Sequence, residues 1–404
     1  MTTTQPAAVT LPTDRGCPFD PPQEYERLRA QDPVARLAFP DGKTGWLLTR
    51  HEDVRALLAD DRFSSDRLRA SSPVRRIPLR PEDVGPRSGM LLSLDPPDHT
   101  HYRRMLTRYF TVRRMRALAP RIEQITAEHL DAMERTGPPV DLVKAFSLPI
   151  PSLVICELLG VPYADRERFQ HWTSTLLNLE VPEETALVAR DELRDYMLGL
   201  VADKRRHPDD ALLSTLIADD GPEGRLNDQE VAGIGRLLLV AGHETTANML
   251  ALGTFTLLTH PEQLRRLLEH PQDIDRAVEE LLRYLTIVQF GTVRVAREDV
   301  EIAGRRIRAG ETVLASLPAA NRDPEHFERP GELDLTREPS QHVSFGHGIH
   351  QCLGQQLARV EMSIAFPALF ERFPTLRLAV PPEQVPMRDD MAIYGVHELP
   401  LTWG

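Results

Sequence analysis

A ten-residue segment near the C-terminus, Phe345 to Gly354, places a cysteine in a loop that glycines punctuate. It reads Phe-Gly-His-Gly-Ile-His-Gln-Cys-Leu-Gly, and glycine permits positive φ and a close approach of backbone to a bulky or flat group. The apolar spacing of Leu353 to Phe370 predicts a helix directly after Cys352. Unpaired N–H groups and the dipole at a helix start favour a negative sulfur. We therefore expect a lowered pKa for the Cys352 thiol and a thiolate suited to bind a metal.

Two alternatives for Cys352 depend on the same residues. A lone cysteine is most often a buried, inert side chain, and this alternative stays open at this point. The other is a zinc site completed by His342, His347 or His350, but their spacings do not match paired-ligand zinc motifs, and the chain has no Cys-x-x-Cys.

A second informative segment lies in the middle of a long predicted helix. Asn227 to Glu230 has the spacing of a capping box, and the helix need not end before His260, which makes it about 50 Å long at about 1.5 Å per residue. The segment Ala241 to Thr246 places a carboxylate and hydroxyls inside the apolar run Leu237 to Leu258. A threonine hydroxyl that bonds back to the carbonyl of residue 241 or 242 would bend the helix there. Ionisable residues at its centre argue against a transmembrane span.

The pattern Phe-Gly-x-Gly-x-His-x-Cys-x-Gly resembles the haem-binding signature of the cytochromes P-450, and the resemblance extends over nearly the whole chain. It implies haem b as the cofactor, with Cys352 as the axial iron ligand, whose sulfur pushes electron density onto iron. It also implies a set of further residues that contact the haem. They are His99, Arg103, Ala241, Arg294, Phe345, Gly346, His350 and Gly354. Of these, His99, Arg103, Arg294 and His350 are the expected partners of the propionates.

The same resemblance gives a role to the polar break in the long helix. Ala-Gly-x-acid-Thr is similar to the oxygen-activation motif of the family, which implies that Glu244 relays protons and that Thr245 takes part in a hydrogen bond with oxygen at the cofactor. Glu280 and Arg283 match the family's structural Glu-x-x-Arg; alone they would be an ordinary surface pair. The family often has arginine where Glu332 stands, so the third member of this cluster is left open between Arg322 and Arg337.

The pattern of the remaining chain predicts a mainly α fold with small β-sheets, the cytochrome P-450 fold, with the long helix crossing the haem. Strands are expected at 34–49 around Asp41-Gly42, and 300–302 is expected to share a sheet with 312–314. The other predicted helices are 113–135, 147–159, 163–178, 185–206, 261–269 and 272–286. We expect one domain over residues 1–404, with a short flexible segment at about 1–18.

Composition constrains where such a chain works. With 41% hydrophobic and 27% charged residues and a net charge of −12, the chain is expected to be soluble, without nucleic-acid or membrane partners. Three cysteines and no apparent signal peptide favour a reducing cytoplasm and a monomer without disulfides. No flavin, ferredoxin-type or NAD-binding motif is present, so the resemblance implies electrons from NAD(P)H through ferredoxin reductase and ferredoxin. Residues 101–116 contain six arginines and no acid, a plausible docking patch for an acidic protein or a merely solvated face.

The expected reaction inserts one oxygen atom from O2 into a large, mostly apolar small molecule. Segments such as Val154 to Pro162 and Ala320 to Pro324 resemble soluble actinobacterial P-450s that act on macrolides, statin-like polyketides, sterols and vitamin D, in secondary metabolism or xenobiotic hydroxylation. The expected substrate contacts are Leu92, Val240, Ile287, Phe290 and Ile393. Arginines in the loop from Ser64 to Met90 suggest a substrate with an acidic or polar arm. The alternatives are a peroxide-driven peroxygenase and a non-catalytic haem sensor or carrier.

Overall fold

The computed structural model describes residues 8–74, 78–219, 224–339 and 341–404. Helices dominate the fold, as the sequence predicts. They are α1 (Glu24–Gln31), α2 (His51–Ala59), α3 (Pro81–Val84), α4 (Asp98–Thr107), α5 (Val112–Arg116), α6 (Ala119–Thr136), α7 (Pro149–Leu159), α8 (Arg166–Leu177), α9 (Glu183–Arg206), α10 (Leu212–Ala218), α11 (Asp228–Thr259), α12 (Pro261–Glu269), α13 (Ile274–Leu285), α14 (Leu317–Ala320) and α15 (Gln355–Arg372).

The strands form small sheets beside the helices. They are β1 (Val34–Ala38), β2 (Thr44–Leu48), β3 (Phe63–Ser64), β4 (Val140–Asp141), β5 (Thr292–Ala296), β6 (Val300–Ile302), β7 (Arg305–Ile307), β8 (Thr312–Ala315), β9 (Arg377–Leu378) and β10 (Pro400–Thr402). The largest sheet has the order β1-β2-β8-β5-β3, and the smaller ones are β4-β10-β9 and β6-β7.

The predicted hairpin around Asp41-Gly42 is confirmed, because β1 and β2 pair antiparallel with Val34 opposite Leu48. The predicted pairing of 300–302 with 312–314 is wrong. Strand β6 turns back at once onto β7, through positive φ angles at Ala303 and Gly304, while β8 inserts between β2 and β5. Strand β6 therefore pairs with its neighbour in sequence, β7, across a tight turn, and not with the more distant β8 as the sequence predicts.

The predicted helix 113–135 is two helices, α5 and α6. Pro120 lies at the start of α6, where proline is tolerated because its missing N–H would have no partner in the first turn. The other predicted helices agree with α7, α8, α9, α12 and α13 to within a few residues at their ends.

Helix α11 is the central element and runs for about 48 Å at about 1.5 Å per residue. Its predicted capping box is confirmed: Asn227 Oδ1 accepts from the Glu230 backbone N–H at 3.0 Å, and Glu230 Oε2 accepts from the Asn227 N–H at 2.9 Å. Helices α7, α9 and α15 pack around it. At Gly253 a Cβ atom would lie 2.6 Å from the Phe366 ring, so the approach of α11 to α15 needs glycine.

A large apolar cluster joins residues from Phe19 to Leu401 around α11. The first seven residues of the predicted flexible segment 1–18 lie outside the described part of the chain. Within the rest, Val9 pairs with β1 through hydrogen bonds of 2.8 Å to both neighbours of Leu37, and Arg15 lies over the Tyr394 ring, which does not fit a flexible segment. Among the described helices, none is long and apolar enough to cross a membrane.

Candidate active site

The loop that carries Cys352 lies immediately before α15. The Cys352 backbone N–H donates to the Phe345 carbonyl at 2.8 Å, which closes the loop on itself. Helix α15 begins at Gln355 with Gly354 as its N-cap, so Cys352 precedes the first turn instead of lying in it. The sulfur nevertheless accepts from the backbone N–H groups of Gly354 and Gln355. The sequence prediction is thus right about the donors, and it places the start of the helix two residues too early, at Leu353 instead of Gln355.

The predicted lowering of the Cys352 pKa is wrong for the protein alone. Burial raises the pKa of this thiol, and it outweighs the N–H groups of Gly354 and Gln355 and the positive charges of Arg103 and Arg359, all of which lower it. A bound metal changes this balance, because metal binding and deprotonation of a thiol are coupled. In the described residues no group of three or more His, Cys, Asp and Glu could hold a metal ion, and His342 is paired with Glu279 at 3.1 Å, so a zinc site has no support.

Gly348 fixes the loop against α2. Its φ is +72°, and a Cβ atom at this position would lie 2.3 Å from the carbonyl oxygen of Leu58. No other residue type can combine this backbone conformation with so close an approach. The glycine pattern of the sequence therefore has a physical reason beyond the flat group that it was expected to accommodate.

Two imidazoles and a guanidinium cluster beside the Cys352 loop, and burial lowers the pKa of both histidines, that of His350 to about 3. The rings of His99 and His350 lie 4.2 Å apart, and Arg294 on β5 is 7% exposed. His99 Nε2 and His350 Nδ1 are buried and have no hydrogen-bond partner among the described residues. Within the described part of the chain, Arg294 donates to Thr292 Oγ1 and the Val293 carbonyl and to no other acceptor. Burial and, second to it, the positive charge of Arg67 lower the pKa of Arg294 to about 10.

Such a cluster is costly without an anion, because buried donors and charges need partners. Two carboxylates of a bound haem would supply acceptors for these side chains. Arg103 differs from the other three predicted partners, because its Nη1 already donates to the Gln351 carbonyl at 2.7 Å and ties α4 to the loop. Arg67 was not singled out for this role, since nothing in its local sequence indicates that it approaches Arg294. The residues present fit a haem.

The polar break in α11 has the predicted local geometry. Thr245 Oγ1 donates to the Ala241 carbonyl at 2.7 Å, which confirms the predicted back-bond. Ala241 is exposed, and Val240, Gly242 and Thr245 are half-buried, although most of the helix is buried. This stripe is the face of α11 on which a flat cofactor could lie.

Glu244 points away from that stripe into the protein. Its side chain is 4% exposed, and its Oε2 lies 3.1 Å from Nη2 of Arg388 and 3.4 Å from Nδ2 of Asn248. Sequence reasoning missed Arg388, because its partner is 144 residues away and no local pattern marks the pair. Beside it, His243 is fully buried and joins α11 to α8 through Thr173 at 3.1 Å.

The Glu280–Arg283 pair is a buried fork. Arg283 Nε and Nη2 each donate to one oxygen of Glu280 at 2.8 Å. The question left open by the sequence is answered by Arg337, whose Nε lies 3.0 Å from Glu280 Oε2. Arg322 instead pairs with Asp20 at 3.0 Å and lies over the Tyr284 ring.

The fork also reaches the segment that leads into the Cys352 loop. Arg283 Nη1 donates to the Asn321 carbonyl at 2.9 Å, and the Asn321 side chain bonds to the Val343 N–H and the Ser344 hydroxyl. Glu280 and Arg283 therefore position the start of the loop.

The predicted substrate contacts occupy varied environments. Leu92 is 37% exposed, Ile287 is 7% exposed, and Val240, Phe290 and Ile393 are half-buried. Among the arginines of the loop from Ser64 to Met90, Arg75 and Arg76 lie outside the described residues.

Two of the remaining loop arginines are already paired with acids. Arg80 lies 3.2 Å from Asp191 on α9, and Arg87 lies 3.2 Å from Glu230 on α11. These ion pairs reduce the free positive charge that the arginines of the loop from Ser64 to Met90 offer to an acidic or polar arm of a substrate.

Comparison with known proteins agrees with this geometry. The family model for Cytochrome P450 matches residues 38–402. Cytochrome P450-SU2 of Streptomyces griseolus is 49% identical over 99% of this chain and 98% of its own length, and the vitamin D3 dihydroxylase of the same species is 44% identical over 98% and 97%. The crystal structure of CYP105P1 in complex with filipin I superposes with a TM-score of 0.92 at 46% identity, over 98% of this chain and 99% of that one. The chain therefore belongs to the cytochrome P450 family of monooxygenases, which bind haem through a cysteine thiolate.

Proposed function

We propose that this P450 inserts one oxygen atom from O2 into a large, mostly apolar natural product or xenobiotic, with electrons from NAD(P)H through ferredoxin reductase and ferredoxin. The observation that carries the proposal is the buried cluster of His99, His350 and Arg294 beside the Cys352 loop, in which His99 Nε2 and His350 Nδ1 have no hydrogen-bond partner among the described residues. It matches the two carboxylates of a haem and has no other use among the described contacts.

Each residue has a defined task in this proposal. Cys352 holds the iron, His99, Arg103, Arg294 and His350 bind the carboxylates, and Ala241, Phe345, Gly346 and Gly354 line the faces of the cofactor. When bound, haem supplies the oxygen activation and the electron transfer that amino-acid side chains cannot perform. The protein's own contribution is to orient the substrate, exclude bulk water and deliver protons.

Proton delivery falls to the polar break of α11. Because the Thr245 hydroxyl donates its proton to the Ala241 carbonyl, its oxygen is free to accept a hydrogen bond from a water molecule. Glu244, the next residue before Thr245 in α11, exchanges a proton at its carboxylate with such a water. Groups placed in this way contribute roughly 10²- to 10⁴-fold to a proton-transfer step.

The substrate proposal draws on the relatives and on the apolar side chains near α11. One relative is a vitamin D3 dihydroxylase, another is the pentalenic acid synthase of Streptomyces avermitilis at 48% identity, and CYP105P1 was crystallised with filipin I. We expect Leu92, Val240, Ile287, Phe290 and Ile393 to contact the apolar body of the substrate.

Two measurements test the proposal. Screening a library of polyketides, sterols and terpenoid acids for a low-to-high-spin shift of the haem spectrum identifies the substrate class, and polar, water-soluble ligands as the only hits would contradict it. Turnover of a hit with NADPH, ferredoxin and reductase is then compared with turnover by peroxide alone. Product formed only with peroxide would make the chain a peroxygenase, and no product in either case would leave a haem carrier.

A further inference from the structure

A hairpin near the C-terminus, residues 386–397, lies between α8 and α11; we call it the C-terminal hairpin. Met387 pairs with Val396, and backbone hydrogen bonds join Arg388 to Gly395 at 3.0 Å and His397 to Pro386 at 2.8 Å. These bonds make it a closed, register-fixed unit. A displacement at one edge of such a unit is transmitted to the other.

One edge of the C-terminal hairpin is bonded to the end of α8. The Ala392 N–H donates to the Leu177 carbonyl at 2.7 Å, and the Leu179 N–H donates to the Asp390 carbonyl at 2.8 Å. Asn178 adds a side-chain bond to Asp390 at 2.9 Å. The hairpin therefore follows the position of the α8 C-terminus.

Another edge is bonded to the acid of the central helix. Arg388 is 9% exposed, and its Nη2 lies 3.1 Å from Glu244 Oε2. Beside this pair the hairpin backbone lies close to the Asn248 side chain of α11, because a Cβ atom at Gly395 would lie 2.1 Å from Asn248 Oδ1. Asn248 in turn donates to the Glu244 carbonyl at 2.7 Å.

The pair sets both the charge balance and the orientation of Glu244. A carboxylate buried in an apolar helix is costly unless a cation and donors satisfy it, and removal of one partner from such a pair is strongly unfavourable. Both hydrogen bonds fall on Oε2, whereas Oε1 lies 4.0 Å from His243 Nε2. They leave Oε1 as the oxygen that can exchange a proton with water.

We propose that Arg388 is a positioning residue for proton delivery, and that through it the C-terminal hairpin couples the end of α8 to Glu244. The inference rests on the proposed role of Glu244. It differs from a purely structural pairing, because movement of α8 when a substrate binds reaches the acid by way of Asp390 and Arg388. The contact of Thr173 with His243 is a second connection between the same two helices.

The first experiment follows hydrogen–deuterium exchange of the haem-loaded protein and needs no turnover. Arg388→Met should raise exchange several-fold in peptides that cover both 387–396 and 177–179, because the hairpin loses its ion pair with α11. Arg265→Met, which removes an exposed pair with Glu269, is the matched control and should change neither region. Unchanged exchange at 177–179 in Arg388→Met would overturn the coupling.

The second experiment measures the fraction of electrons lost to hydrogen peroxide and the solvent deuterium isotope effect on turnover. Arg388→Met should raise both and slow turnover by up to about 10²-fold, the cost of misplacing a reacting group by about 1 Å. Arg388→Lys keeps the charge and should recover part of the loss, a rescue that a packing role would not give.

The two proposals fail in different ways. If Glu244→Gln leaves coupling and isotope effect at wild-type values, the role of Glu244 is wrong. If Glu244→Gln changes them and Arg388→Met does not, the positioning role of Arg388 is overturned. Should Arg388→Met fail to fold, Arg388→Gln, which keeps a polar side chain without the charge, carries the test, and wild-type values in that variant for exchange, coupling and isotope effect would overturn the inference.

Discussion

Thr245 and Glu244 are neighbours in α11 but are held in different ways, the hydroxyl by its own helix and the carboxylate by Arg388. Thr245→Ala should therefore still bind substrate and accept electrons but divert them to peroxide, whereas Glu244→Gln should slow turnover, by roughly 10²-fold or more. Thr254→Ala removes an equivalent back-bond, to the Leu250 carbonyl, and is the control. Comparing NADPH consumed with product formed checks this, and full coupling in both variants would contradict it.

Glu361 on α15 is a second buried acid that sequence reasoning did not single out. It is 1% exposed, its Oε2 has no partner among the described residues, and burial raises its pKa to about 8, against a hydrogen bond from Thr246 that lowers it. Between pH of about 4.5 and 8 the folded state keeps a proton that the unfolded state releases, so this group's contribution to stability is lost as the pH rises.

Glu361→Gln should remove that loss. In the wild type we expect Glu361 to lower the free energy of unfolding by up to about 1.4 kcal/mol for each pH unit in this window, a slope that the variant should lack. Urea unfolding at pH 5, 6, 7 and 8 measures it. Parallel curves for the two proteins would show that Glu361 titrates normally.

At the scale of the elements, the Cys352 loop depends on its contact with α2. Gly348→Ala adds a methyl group against the Leu58 carbonyl at a positive φ, so the loop must shift and haem retention should fall severalfold. Gly310→Ala is the control: Gly310 also has a positive φ, +85°, but nothing lies within 4 Å of the added Cβ atom. It therefore reports the effect of backbone strain without the steric clash. The haem-to-protein absorbance ratio after purification is the measurement, and equal ratios in the two variants would contradict the account.

The elements also show which parts of the structure a sequence can predict. Predictions that depend on one short segment are confirmed. The capping box at Asn227 and the back-bond of Thr245 are hydrogen bonds between residues three and four positions apart. The pairing of β6 failed, because a positive-φ turn at Ala303 competes with a longer connection of equal β propensity. The partner of Glu244 could not be found at all, because Arg388 reaches it only through the packing of the C-terminal hairpin on α11.

At the scale of the whole molecule, an acidic protein carries a basic region at α4 and α5. Arg104, Arg113 and Arg116 are exposed, whereas Arg108 pairs with Asp219 and Arg114 lies over Tyr109. Arg103 of the same region is tied to the Cys352 loop, so a protein docked here would lie near the expected thiolate side of the haem. The exposure of Arg104, Arg113 and Arg116 supports the proposal that ferredoxin docks on α4 and α5. The other three arginines of this region already have partners within the protein.

Arg104→Glu combined with Arg113→Glu should raise the apparent KM for ferredoxin and leave substrate binding unchanged. Charges at the rim of an interface act mainly on association, so added salt should narrow the difference from wild type. Arg305→Glu with Arg306→Glu on β7 makes the same change in net charge and is the control. Equal ferredoxin kinetics for both double variants at low salt would assign the arginines of α4 and α5 to a solvated face.

The central claim is that Cys352 binds the haem iron as a thiolate. The direct measurement is the absorbance spectrum of the reduced protein with carbon monoxide, for the wild type, Cys352→His and the control Cys156→Ser, which removes a buried cysteine of α7. We predict the red-shifted Soret band of thiolate-ligated haem in the wild type and in Cys156→Ser, and its loss in Cys352→His. The same red-shifted band in Cys352→His, or its absence from the wild type, would contradict the account.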